Sequence, residues 1–286
     1  MTPLEQLLLV VVASFLAGLA GSYLGVGGGI FLVPFLALGI RVDLPVAVAT
    51  SLIGVIATSS GAASVYVRDR LVNLRLGMFL EIATTLGAIV GASLAVLVDP
   101  RYLFLLFAAV VLYTAAYMAL TRESAKDRAY RPGRESPLAE RFGLSSIYFD
   151  HEDQGVYRYR VGRPGAGFAA SGVAGALSGL LGIGGGFVQV PAMNVIMGVP
   201  MKPAVATSNF VIGVTAAASA FIYYARGLVN PSLAAMVIVG VFAGTHVGTR
   251  LLLRGRAQRI RFVFVVLLAA IAALMGLRAF DMAVVP

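Results

Sequence analysis

Two ten-residue stretches constrain this chain more than anything else in it. They are Gly25-Val-Gly27-Gly28-Gly29-Ile-Phe-Leu-Val-Pro34 and Gly182-Ile-Gly184-Gly185-Gly186-Phe-Val-Gln189-Val-Pro191. Each sets four glycines within five positions, with an apolar run leading in and a short apolar run leading out to a proline. Glycine-rich backbone makes poor helix, yet here it lies inside membrane-grade hydrophobicity. At membrane depth such backbone survives only where protein or a water-lined cavity satisfies its polar groups. The setting is unmistakable: 59% of the 286 residues are hydrophobic and only 12% are charged, against about 45–50% and about 25% in soluble domains. The fold class is therefore an all-α polytopic membrane protein. A β-barrel is excluded because the apolar stretches are continuous rather than alternating, and many approach the ~20 residues of a spanning helix.

Apolar segments run over 6–24, 30–39, 45–67, 76–98 and 101–121, and again over 164–181, 187–197, 203–224, 233–253 and 262–280. Sliding the chain by 157 positions lays 25–94 on 182–251 without a gap, and more than twenty of the seventy positions are identical. Ala47-Val-Ala-Thr50-Ser51 meets Ala204-Val-Ala-Thr207-Ser208, and Leu71-Val-Asn73 meets Leu228-Val-Asn230. Gly87-x-x-x-Gly91 meets Gly244-x-x-x-Gly248 in the same register. This is an internal duplication. It divides the chain into a first transmembrane repeat, 1–121, a polar linker, 122–163, and a second repeat, 164–286.

Loop charge sets the orientation. In the first copy the connection Arg68-Asp-Arg70…Arg75 is basic and Asp99-Pro-Arg101 is nearly neutral. In the second the equivalents swap, with one charge at Arg226 and four across Arg254-Gly-Arg256…Arg259-Ile-Arg261. Short loops rich in Lys and Arg stay cytoplasmic, so homologous loops lie on opposite sides, as in an inverted-topology repeat. This predicts that 68–75, 122–163 and 254–261 are cytoplasmic and that both termini face outward. The N-terminus lacks a basic leader, so 6–24 reads as a retained helix. The arms 30–39 and 187–197 are too short to cross alone, at roughly 15 Å of helix, and they complete broken hairpins at the glycines. The linker carries nine Lys/Arg and seven Asp/Glu, so it is solvated. Within it 145–161 alternates about a turn signal and reads as a cytoplasmic β-hairpin, serving either as a plain linker or as a docking lobe.

The glycine motif is neither a P-loop nor a dinucleotide fingerprint, because Ile30-Phe31 and Phe187-Val188 stand where those need Gly-Lys-Ser/Thr or a third glycine. A broken helix near the membrane centre exposes amide N–H groups and a positive dipole end, which suits an anion. The Gly87/Gly91 and Gly244/Gly248 pairs read as close helix packing. With no cysteine and only two histidines, and with no His-Glu-x-x-His, an intramembrane enzyme is not expected. Cofactors and metals are not expected either, and the +9 charge writes membrane topology rather than nucleic-acid binding.

The doubled G-x-GGG…Val-Pro followed by Ala-Val-Ala-Thr-Ser resembles the sulfite exporter TauE/SafE family of membrane permeases over nearly the whole chain outside the linker. That resemblance implies a plasma-membrane transporter of small sulfur-containing or organic anions, such as sulfite or a sulfonate. Carried over residue by residue, Gly25, Gly27, Gly28, Gly29 and Pro34 line the pore with Gly182, Gly184, Gly185, Gly186 and Pro191. Thr50, Ser51, Thr207 and Ser208 join them, as N-caps or substrate hydroxyls if not merely bonded to their own helix. Where the first copy has Leu32, Ala37 and Leu52, the second has Gln189, Asn194 and Asn209, so the second copy is expected to supply more polar contacts. Glu81, His246 and Arg250 are ionisable groups inside spans and hence candidate coupling residues. His246 is expected on the Gly244/Gly248 face, and a structural Glu81–Arg250 pair between repeats is an alternative to coupling. No nucleotide motif is present, so a gradient would drive transport, with protons the candidate coupling ion. A channel-like pore and a non-transporting scaffold using the hairpin are the rival readings, and a homo-oligomer is open.

Overall fold

The repeated Leu-Val-Asn starts a helix in both copies. Asn73 Oδ1 accepts from Leu76 N and Asn230 Oδ1 from Leu233 N, each at 3.1 Å. This side-chain cap satisfies an amide the first turn would otherwise orphan. In the computed structural model, which describes residues 3–120, 136–150, 154–253 and 258–284, the caps open α4 (Leu74–Ala95) and α10 (Pro231–Leu253). Before them run α1 (Pro3–Leu24), α2 (Gly29–Pro34) and α3 (Leu44–Arg68) in the first copy, and α7 (Pro164–Leu181), α8 (Gly186–Pro191) and α9 (Met201–Ala225) in the second. The copies close with α5 (Pro100–Leu120) and α11 (Gln258–Val284). Between them lie α6 (Pro137–Arg141) and the antiparallel hairpin β1 (Ser146–Asp150) and β2 (Gly155–Tyr159), with Ser146 opposite Tyr159.

Seven of these helices are long and apolar enough to cross a membrane, and α11 carries a further apolar stretch, Val265–Phe280. The two arms continue α2 and α8 by one π-helical turn, Phe35–Gly39 and Ala192–Ile196. Proline is the cause: its ring crowds the carbonyl four residues back, and the wider turn after Pro34 and Pro191 relieves it. The matching bonds skip five residues, Ile40 N to Phe35 O and Met197 N to Ala192 O, each 3.1 Å.

Residue pairing gives the helix directions. A Cβ on Gly87 would meet Gly172 and Ala176, and one on Gly91 would meet Ala176, while Gly175 faces Thr84 and Gly179 faces Ala88. Both numbers rise together, so α4 and α7 are parallel. The equivalent pair α1 and α10 behaves alike, Gly240 against Val11 and Gly248 against Leu19. In the same way α3 runs with α10, through Gly54–Val237 and Gly61–Thr245. Helix α4 runs with α9, through Asn73–Thr207 and Glu81–Thr215. Helices α3 and α9 are antiparallel, since Ser59, beyond Val55, reaches back to Asn209, before Ile212. Hence α1, α3 and α10 point one way and α4, α7 and α9 the other. The two copies are upside down relative to each other, and the small-residue pairs knit each to its partner rather than to itself.

The hairpin lobe is docked. Asn73 Nδ2 donates to Leu144 O at 2.6 Å and to the Tyr159 hydroxyl at 3.0 Å. Lys202 Nζ meets Asp150 Oδ1 at 2.6 Å. Leu144, Tyr148, Tyr159 and Val161 share a core with Met193, Met197 and Val199 of the second arm, and burial pushes the Tyr159 hydroxyl up to about 12. The basic 68–75 connection and the lobe therefore sit at one end of the bundle. The sequence-predicted hairpin lies where 145–161 placed it, although its tip at 151–153 is outside the described residues. Most of the first linker segment (121–135) and part of the second basic loop (254–257) are also outside them.

Candidate functional site

Each glycine break adopts the same backbone. Gly25, Gly27 and Gly28 have φ of 74°, 83° and 80°, and Gly182, Gly184 and Gly185 have 69°, 94° and 78°. That left-handed region strains any residue with a Cβ. The two breaks face each other at the centre of the bundle. A Cβ on Gly29 would fall on the carbonyl oxygen of Gly182, and one on Gly186 on the carbonyl oxygen of Gly25. Val55 Cγ1 and Ile212 Cγ2 stand against both Gly27 and Gly184, on the axis relating the copies. Residues 25–34 and 182–187 are all buried, so the centre is closed.

Helix-end carbonyls left open by the breaks are satisfied across the repeats. Ser51 Oγ donates to Gly182 O at 2.9 Å, and Ser208 Oγ donates to Gly25 O at 2.8 Å. These serines, with Thr50 and Thr207, lie two turns inside α3 and α9, not at helix starts. As N-caps they are therefore corrected: the Ala-Val-Ala-Thr-Ser motif is mid-helix, and its serines tie one copy's central helix to the other copy's break. Thr207 Oγ1 accepts from Asn73 N at 3.0 Å. Alanine at Ser51 or Ser208 leaves a buried carbonyl unpaired and should cost about 1–3 kcal/mol. Thermal unfolding in detergent reads this, and two variants as stable as the wild type would refute the bridging role.

Polar asymmetry gathers at this crossing. Ser208 Oγ is 3.5 Å from Gln189 Oε1. Asn209 Nδ2 donates to Ser22 O and Val205 O at 2.9 and 3.1 Å, and Ser59 Oγ donates to the Asn209 carbonyl. Yet Gln189 Nε2, Asn209 Oδ1 and Thr50 Oγ1 have no partner, although Gln189 is 1% exposed and the other two 0%. Unpaired buried polar atoms are costly and call for an explanation. Gln189 Nε2 offers two donors without a partner, on α8, whose amides find internal acceptors only from Val188 onward. A small anion is what such a donor set can hold.

A sequence profile for the family described as "Sulfite exporter TauE/SafE" matches residues 10–275, from α1 through both breaks into α11. The chain belongs to the TauE/SafE family. Among curated relatives of this TauE/SafE chain is "Probable membrane transporter protein YunE" of Bacillus subtilis, 28% identical over 84% of this chain and 86% of the relative. Another is a Xylella fastidiosa "Probable membrane transporter protein", 28% identical over 94% of each chain. No solved structure matches the chain. With this family and these relatives the protein is a membrane transporter.

The remaining sequence candidates in this TauE/SafE chain fall elsewhere. Pro34 and Pro191 are buried at the far ends of α2 and α8, where they set the π-turns. Asn194 donates to Val199 O at 3.0 Å and closes the second arm, away from Gln189 and Asn209. His246 and Arg250 are exposed on α10, opposite the Gly244/Gly248 face that packs on α1, so the expected placing of His246 is corrected. The Glu81–Arg250 pair is not formed. Glu81 Oε1 instead accepts from Thr85 Oγ1 at 2.7 Å and Thr215 Oγ1 at 3.1 Å. Val55, Ile212, Ser59 and Ser22 were missed, because apolar and small residues in membrane helices carry no compositional signal. Only their register with the glycines could have marked them.

Proposed function

We propose that this chain is a secondary transporter of a small anion, a sulfur oxyanion or a sulfonate, working in the plasma membrane by alternating access between its inverted repeats. One observation carries the reading: two glycine breaks from opposite copies meet at the bundle centre, and the fully buried Gln189 amide beside them has donors without a partner. An oxyanion there is met by N–H groups fixed in advance, with Ser208, Asn209 and Thr50 beside it. The sulfur chemistry comes from the family description alone. Val55 and Ile212 both stand against Gly27 and Gly184 in the buried centre, which favours alternating access over a standing pore; saturable uptake, rather than flux linear in concentration, distinguishes the two. The repeats 1–121 and 164–286 are the moving halves, with 122–163 as the joining lobe.

Thermal-shift and proteoliposome screens against sulfite, sulfate, thiosulfate, short sulfonates and short carboxylates test the substrate class. Stabilisation and saturable flux with a sulfur anion are expected, and the reading fails if none of these anions binds or moves. The basic 68–75 connection and the lobe belong on the cytoplasmic side by charge, with both termini outside. The chain has no cysteine, so Leu74→Cys and Ser232→Cys, both exposed at equivalent helix starts, are clean reporters. An impermeant thiol reagent applied to intact cells should label Ser232→Cys alone; labelling of both from outside would overturn the topology.

A further inference from the structure

Glu81 has no counterpart in the second copy, where Ile238 takes its register position. It lies in the interior of α4 against Thr215 of α9, the helix that also carries Ser208 and Asn209. One carboxyl oxygen, Oε1, accepts both threonine hydroxyls, while Oε2 is buried with no partner. Beside it opens a lateral cavity of about 390 Å³, lined by Met78, Ile82, Thr85 and Leu86. Met78, Ile82 and Leu86 are exposed on the outer face of the bundle, so the cavity faces lipid.

Among the described residues no cation pairs with the Glu81 carboxyl. Helix α7, packed on α4, has no titratable side chain. On α9, Lys202 pairs with Asp150, Tyr223 donates to Gly179 O, Arg226 reaches Ala92 O and Ser93 O, and Tyr224 is exposed. On α4 itself Arg75 lies beside Gly143, at the lobe end. A carboxylate with one orphaned oxygen and no counter-ion is expensive to bury. A proton on that oxygen removes the charge, the larger part of the cost. Both hydroxyls stand within donating distance of Oε1, an arrangement that suits a proton on the carboxyl better than a metal cation, which would need oxygen lone pairs turned inward.

We propose that Glu81 is a proton-binding site whose occupancy is transmitted through Thr215 to the α9 helix of the anion site. With Glu81 ionised, the Thr215 hydroxyl donates to Oε1 and latches α4 to α9. When Oε2 takes up a proton, the charge is lost and Thr215 turns its hydrogen to Val211 O, already 3.1 Å away, and the latch opens. The only bond made or broken covalently is the O–H bond on Oε2. This rests on the transporter reading for its purpose, while the spectroscopic arm of its test stands apart from that reading.

The test has two arms on the full-length protein. Infrared difference spectra across a pH titration, without added anion, should show a protonated-carboxyl band growing in as the pH falls, missing in Glu81→Gln and retained in Thr215→Val. In proteoliposomes loaded with methanesulfonate, which stays ionised throughout, Glu81→Gln should keep counterflow at equal pH and lose acceleration by a pH gradient. Thr215→Val should lose most of that acceleration while keeping the band. An unchanged band in Glu81→Gln, or a gradient response equal to wild type, overturns the proton site. A wild-type band with no anion flux overturns the anion reading instead and leaves the proton site supported.

Discussion

Alanine in place of Gly29 or Gly186 is expected to abolish the proposed anion uptake and to lower the unfolding temperature of the purified protein. The added Cβ falls on a backbone carbonyl of the opposite copy, Gly182 O or Gly25 O. That carbonyl already accepts Ser51 or Ser208, so it cannot retreat without losing a buried bond. Overpacking of this kind costs about 1–3 kcal/mol, and here it pushes apart the crossing where the anion is proposed to sit. Gly28→Ala and Gly185→Ala act through the same break, since φ near +80° costs an L-residue about 1–2 kcal/mol. Gly165→Ala, with nothing near its Cβ, is the control and should transport normally. Wild-type uptake and stability in both Gly29→Ala and Gly186→Ala would remove the breaks from the function.

Gln189→Leu is expected to lower affinity for the proposed anion without lowering stability. The first copy already holds Leu32 at this register position, so leucine fits the fold. Removing an orphaned buried donor relieves a desolvation cost of about 1–3 kcal/mol, and the variant should unfold at the same temperature as wild type or higher. Its anion affinity should fall by roughly tenfold to a hundredfold, the worth of a hydrogen bond to a charged group. Isothermal titration with the screened anion, beside thermal unfolding, separates the two. A less stable variant with unchanged affinity would make Gln189 a structural residue.

Much of this was legible along the chain. The apolar runs, the 157-residue register and the swapped loop charges predicted spanning helices, broken arms and an inverted pair, and the helix directions agree with that inversion. The hairpin was readable from its alternation. Individual site residues were less so. Gln189 and Asn209 stood out because they break the register with polar groups, and the fold brings both to the crossing. Asn194 broke it equally and lies apart, closing a helix end. His246 stands only two residues from both Gly244 and Gly248, and a two-residue step turns a side chain to the other side of a helix.

The sequence by itself determined the class, the duplication, the position of both breaks and the hairpin. Each of these is written in hydropathy, register or local turn chemistry, which neighbouring residues settle among themselves. Only the tertiary structure decided that Ser51 and Ser208 serve the opposite copy's glycines and that Glu81 answers to Thr215 rather than Arg250. It alone brought Val55 and Ile212 up against both glycine breaks and left Gln189 with donors to spare. Those outcomes join residues more than a hundred positions apart through the packing of helices. In a membrane small residues alone let helices come that close, so the glycines of the repeat are what made these cross-copy contacts reachable.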